Sequence, residues 1–187
     1  MDKKAISVKR GEGETLSVLG GDVRFLLEAA RTNNAFSLME VVLPMDQGPP
    51  PHDHPWDEAY YIIEGDVWFL VGEKEEVFST GDFVYAPGGT LHAFHGAAEN
   101  PARVLVFDAP ATAEGFFRDV AEEVKSMPED LAKVPRSACG ISFDSCRQPE
   151  GKAALNESYA DAHKRFTRTA YFSFISLVEP NPSRLVN

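Results

Sequence analysis

The stretch PPHDHPWDEAYYIIEG, residues 50–65, decides how this chain is read. It carries His52, His54 and Glu58 and closes on Gly65. In an extended strand, residues two apart point the same way. His52, His54 and Glu58 share parity, so one strand can aim all three at one face, with Tyr60 and Ile62 following. A second stretch, GDFVYAPGGTLHAFHG, residues 81–96, adds His92. Imidazoles and a carboxylate from two separated segments are the ingredients of a mononuclear metal site. A histidine pair alone is weak; the pair in register with Glu58, the glycines and His92 points to a metal. The mixed nitrogen and oxygen donors suit one divalent transition ion, and iron, manganese, nickel, cobalt, copper and zinc all tolerate them. His95 has the opposite parity to His92 and is read as a non-ligand, as is His163.

Working outward, residues 45–51 form a proline-rich loop that holds the approach to His52 extended. EAYYIIEGDVWFLVGE reads as two strands around a turn at Glu64-Gly65-Asp66. Pro87-Gly88-Gly89 forces a bend that delivers His92 toward the other ligands. Residues 17–30 read as a strand pair or a bent strand interrupted at Gly20-Gly21, with Asn33-Asn34 suited to a turn. Residues 35–44 read as a strand with Phe36, Leu38 and Val42 on one face. Glu40 shares that parity and is read as an exposed edge charge, with a pocket carboxylate as the alternative. Short strands at close spacing favour a sandwich or barrel, an all-β class. Residues 1–15 are a polar lead-in.

After Pro110 the pattern changes. Phe116, Phe117, Val120 and Val124 recur at helical spacing. A short helix opens at Pro128, residues 138–145 read as a strand, and Leu155, Tyr159, Ala162 and Phe166 stripe a further helix. YFSFISLV, 171–178, reads as a buried strand. The division expected is a barrel over residues 1–110 and a mostly helical appendage over 111–187 packed on it; the role of residues 148–187 is open.

The chain has 187 residues and a net charge of −11. That length supports one domain with a good core. The charge argues against nucleic acid or an anionic membrane as a partner. No apolar run is long enough for a membrane span, and the N-terminal residues lack a secretory apolar region. A cytoplasmic location is the default expectation. Cys139 and Cys146 fit no paired motif and are expected as free thiols in a reducing compartment, with a disulfide between them left open.

The pattern His52-x-His54-x3-Glu58-x6-Gly65 resembles the first motif of the cupin superfamily. Gly81-x5-Pro87-x-Gly89-x2-His92 resembles the second, and residues 66–80 resemble the short segment between them. Gly48 and Gly96 are departures from the usual pattern. The wider likeness, over roughly residues 15–110, is to small single-domain bacterial cupins of the quercetin dioxygenase-like branch.

That resemblance implies a double-stranded β-helix, the jelly-roll barrel, here with C-terminal helices and an extra strand. It implies metal ligands at His52, His54, Glu58 and His92. Glu58 would act as both ligand and base in a metal-dependent dioxygenase working on a small aromatic or enediol substrate. Trp56, Tyr60 and Phe94 share parity with the ligands and are candidate pocket-wall residues, Trp56 at the mouth. The alternatives are a non-catalytic cupin that binds or senses a small molecule, and a metal-dependent isomerase. A homodimer is the family expectation.

Overall fold

A computed structural model describes residues 4–123. The short helix at Pro128, the strands at 138–145 and 171–178, the helix bearing Leu155, and Cys139, Cys146 and His163 lie outside the described residues. So does Val124.

The described chain runs β1 (Thr15–Val18), β2 (Gly21–Leu27), α1 (Ala29–Thr32), β3 (Ser37–Leu43), β4 (Asp57–Glu64), β5 (Asp66–Val71), β6 (Lys74–Ser79), β7 (Phe83–Ala86), β8 (His92–Gly96), β9 (Ala102–Ala109) and α2 (Ala113–Glu123). Six strands form one sheet in the order β1-β2-β3-β9-β4-β7, and three form a second in the order β6-β5-β8. Every pairing between these strands is antiparallel. The crossover from β4 to β5 changes sheet at Gly65, and the fold is a double-stranded β-helix. Gly65 sits at φ +81, where a Cβ would come 3.0 Å from the Ala102 Cα, so glycine is required there.

Alternation builds the core. Glu58, Tyr60 and Ile62 of β4 all point inward, at 5%, 0% and 0% exposure, as their shared parity predicts. They meet Val104 and Val106 of β9, Val67 and Phe69 of β5 and Phe94 of β8. Burying a side chain such as Ile62 stabilises the fold by roughly 1.5–3 kcal/mol.

β3 buries the opposite parity to that of Phe36, Leu38 and Val42. Ser37, Met39, Val41 and Leu43 face the core. Both parities carry apolar residues, so the pattern alone leaves the strand's facing unresolved; the partners decide it. Glu40 meets Arg24 at 3.2 Å and Arg103 at 2.8 Å on the outer surface, and Phe36 stacks on Phe107 there. β3 lies between β2 and β9, so Glu40 is an ion-paired residue of an interior strand, not an edge charge and not a pocket carboxylate. The outer surface of the six-stranded sheet is aromatic. Tyr61, Phe83, Tyr85 and Phe107 are all exposed on β4, β7 and β9.

α2 turns its apolar stripe to the barrel, with Ala113, Phe116 and Val120 in the core and Phe117 packed against it. Asp108 caps the start of this helix. Its Oδ2 accepts the Thr112 and Ala113 N–H groups at 3.0 and 3.1 Å, while its Oδ1 accepts the Ser37 hydroxyl. Arg118 reaches back to Glu14 and Glu28 and so ties the helix to the N-terminal strands. No helix among the described residues is long and apolar enough to cross a membrane.

Candidate metal centre

The prolines shape the first ligand segment. Pro49, Pro50, Pro51 and Pro55 offer no N–H, so a continuous ladder cannot form through them. β4 accordingly begins at Asp57, after His52 and His54. The expectation of one strand bearing all three side chains is therefore corrected: His52 and His54 precede β4, in an extended approach. His52 is held instead by a bridge to His92, in which His52 N donates to His92 O at 3.0 Å and His92 N to His52 O at 2.9 Å.

The Pro87–Gly88–Gly89 turn closes over this segment. Gly89 N donates to His54 O at 2.7 Å, and Gly88 N to Asp57 Oδ1 at 2.9 Å. A Cβ on Gly88 would lie 2.5 Å from Pro55 O, so backbone approaches backbone where only glycine fits. Gly96, a departure from the family pattern, meets the same demand. A Cβ there would lie 2.5 Å from both Leu43 O and Pro44 O.

Each imidazole is oriented by a main-chain carbonyl two residues away. Nδ1 of His52 meets Pro50 O, Nδ1 of His54 meets Trp56 O, and Nδ1 of His92 meets Thr90 O, each at 2.8 Å. A carbonyl only accepts, so each Nδ1 carries the proton and each neutral ring keeps its lone pair on Nε2. These carbonyls are the functional groups the sequence reading missed. Backbone oxygens leave no residue-type signature.

The three histidines are buried, and each offers a ligand atom within 4.8 Å of the others. Glu58 stands beside two of them, its Oε2 3.3 Å from His54 Nε2 and 3.4 Å from His92 Nε2. Those two Nε2 atoms are buried and have no hydrogen-bond partner among the described residues. While both rings are neutral, two lone pairs and an anionic oxygen face one another across a dry gap and repel; a proton or a metal cation among them removes the repulsion. The spacing suits a metal. Donors about 2.1 Å from a tetrahedral ion lie about 3.4 Å apart. The donor set therefore fits a divalent metal, with His52, His54 and His92 as the close trio and Glu58 adjoining two of its members.

Electrostatics follow from burial and these contacts. Burial would push the Glu58 carboxyl up, but the His54 and His92 imidazoles outweigh it and hold it well below the usual carboxylate range. Burial, with His92 nearby, pushes His52 down to about 3. For His92 the burial penalty is overcome by Glu58, and its affinity for protons rises. Burial and the Glu58 charge push the Tyr60 hydroxyl well above its ordinary value.

Trp56 is 1% exposed and lies flat on His54. It belongs to the inner wall, not to the mouth of a pocket. Tyr60 is fully buried and donates its hydroxyl to Glu58 Oε2. It does not line the cavity; Phe94 does. That cavity, about 40 Å³, opens from His52, His54 and Glu58 onto an otherwise apolar lining that includes Val23, Val41, Trp56 and, from α2, Phe116. No lysine or arginine lines it among the described residues. His95 stacks on Trp68 and stands apart from the trio.

Residues 39–108 match the family model of the cupin domain. An uncharacterized protein of Streptomyces coelicolor is 33% identical over 57 residues, which are 30% of this chain and 54% of that one. The chain thus spans about half the length of this curated relative. Among solved structures, the polyketide cyclase RemF of Streptomyces resistomycificus superposes with a TM-score of 0.52 at 21% identity, over 57% of this chain and 80% of that one. An RmlC-like cupin of Shewanella frigidimarina superposes with a TM-score of 0.53 at 15% identity, over 62% of this chain and 99% of that one. At these identities the two structures establish the shared fold.

Proposed function

We propose that this chain, whose residues 39–108 match the family model of the cupin domain, is a metal-dependent cupin. His52, His54, Glu58 and His92 hold one divalent transition ion, and the substrate is a small aromatic or enediol molecule. One observation carries the reading: buried, unpartnered Nε2 atoms of His54 and His92 converge with the Glu58 carboxylate beside an apolar cavity.

A bound ion would supply Lewis acidity and vacant coordination positions for small oxygen ligands. The chain's own residues do the rest. The carbonyls of Pro50, Trp56 and Thr90 fix the imidazoles. Glu58 lines the cavity and is placed to accept a substrate hydroxyl proton. Trp56, Phe94 and Phe116 exclude water and receive a flat apolar body. The resemblance to the quercetin dioxygenase-like branch favours insertion of dioxygen into such a substrate.

The experiment is oxygen uptake by the iron, manganese and nickel forms with a catechol and flavonol panel. Substrate-dependent uptake supports the dioxygenase. Saturable binding with no uptake in any form replaces it with the second reading, a cupin that binds or senses a small molecule. A metal-dependent isomerase would show turnover without oxygen.

A further inference from the structure

Glu58 is the one acidic member of the site, and its two oxygens are engaged unequally. Among the described residues, Oε1 has only the Trp56 Nε1–H at 3.5 Å, a long contact. Oε2 accepts the Tyr60 hydroxyl and also faces His54 Nε2 and His92 Nε2. The Tyr60 ring is packed on both sides. It is fully buried, edge-on to Phe69 at 5.1 Å and tilted against Phe94 at 5.0 Å between centroids. The sheet itself therefore sets where the hydroxyl sits.

We propose that Tyr60 is a positioning residue for the metal centre, fixing the Glu58 carboxylate through Oε2 so that this oxygen stays between His54 and His92. The inference rests on the metal reading above. The terminal torsion of a glutamate is broad, and its carboxylate turns easily unless something holds it. The weak Trp56 contact on Oε1 does not hold it; the hydroxyl on Oε2 does. The same hydroxyl occupies one lone pair of Oε2, which leaves that oxygen a single, directed position for the ion. Tyr60 thus works through Glu58, from behind the ligands, and touches no substrate.

A double-mutant cycle read with cobalt(II) tests this. Tyr60→Phe removes the hydroxyl and keeps the ring. In the Glu58 background it is expected to weaken cobalt affinity about 10–100-fold, the range for partners that orient ligands, and to shift the visible cobalt absorption bands. In the Glu58→Ala background, where nothing is left to position, the same change is expected to alter neither. Parent-like affinity and bands in Tyr60→Phe overturn the proposal. So does an equal loss in both backgrounds, which would make Tyr60 a packing residue. A parent protein that takes up no cobalt overturns the metal reading itself, and this inference with it.

Discussion

Trp56 lies flat on His54, with ring centroids 4.1 Å apart and planes within 1° of parallel. The backbone carbonyl of Trp56 also accepts the His54 Nδ1–H. One residue between two proposed ligands thus sets both the tilt and the tautomer of the first. The chain's other tryptophan, Trp68, stacks on His95, away from the trio.

Trp56 should therefore report on the ion. Titration with copper(II) or nickel(II) is expected to quench tryptophan fluorescence saturably at about one equivalent, and a chelator to restore it. In His54→Ala the quench should vanish. Equal quenching in that variant would show that the ion sits elsewhere.

Removing a ligand should separate metal from fold. His52→Ala and His92→Ala keep the backbone bridge between the two residues, because main-chain atoms make it. Each is expected to lose at least about 100-fold in metal affinity, more than the loss of an orienting partner, with circular dichroism unchanged. Elemental analysis of protein purified without added metal gives the answer.

Chelation should lower the melting temperature of the full chain. An ion present at 100 times its dissociation constant adds about 2.7 kcal/mol. For a chain of this size that is about 5–10 °C. Melting curves with and without chelator that superimpose would contradict a site preformed in the native state.

Asp108 should matter for stability, not for metal. Asp108→Ala removes the cap of α2 and strands the Ser37 hydroxyl, for a loss of roughly 2–4 kcal/mol. Burial pushes the Asp108 carboxyl above its ordinary value, against the pull of Ser37 and the Ala113 N–H. A raised acid favours the folded state most when protonated. Its contribution is full below the ordinary carboxylate value and is lost as pH rises through the raised one. The parent should gain on Asp108→Asn as pH falls into that window, read by urea denaturation at neutral and mildly acidic pH.

The homodimer expected of this family is proposed to use the aromatic outer surface of the six-stranded sheet. Phe83 is 61% exposed and lies opposite Tyr61 in the β4–β7 register. Apolar surface of this kind marks contact sites. Phe83→Ser is expected to shift sedimentation toward monomer. A parent that sediments only as monomer removes the proposal.

Much of the barrel was legible because its signals are periodic or sterically forced. Alternation in residues 57–64 places Glu58, Tyr60 and Ile62 inward, and helical spacing finds Phe116 and Val120 on one face. β3 was not legible in the same way. Leu38 and Val42 compete with Met39, Val41 and Leu43, and only Arg24 and Arg103, distant in sequence, decide where Glu40 points. The shared parity of His52, His54 and Glu58, and the second segment bearing His92, are visible in the sequence; that His52 and His54 arrive ahead of β4 is not. The carbonyls that set the histidine tautomers are not visible there either, and neither is the burial of Trp56, because both depend on how the proline-rich approach bends before β4.

The mutual backbone bridge of His52 and His92 also orders events in the life of the chain. Until β8 has emerged and docked, the histidine trio does not exist, and the unfolded polypeptide has only scattered imidazoles to offer an ion. An ion taken up by the proposed site would then enter after folding. Its identity would depend on what circulates where the finished barrel first meets solvent, since this donor set accepts several ions and supply selects among them.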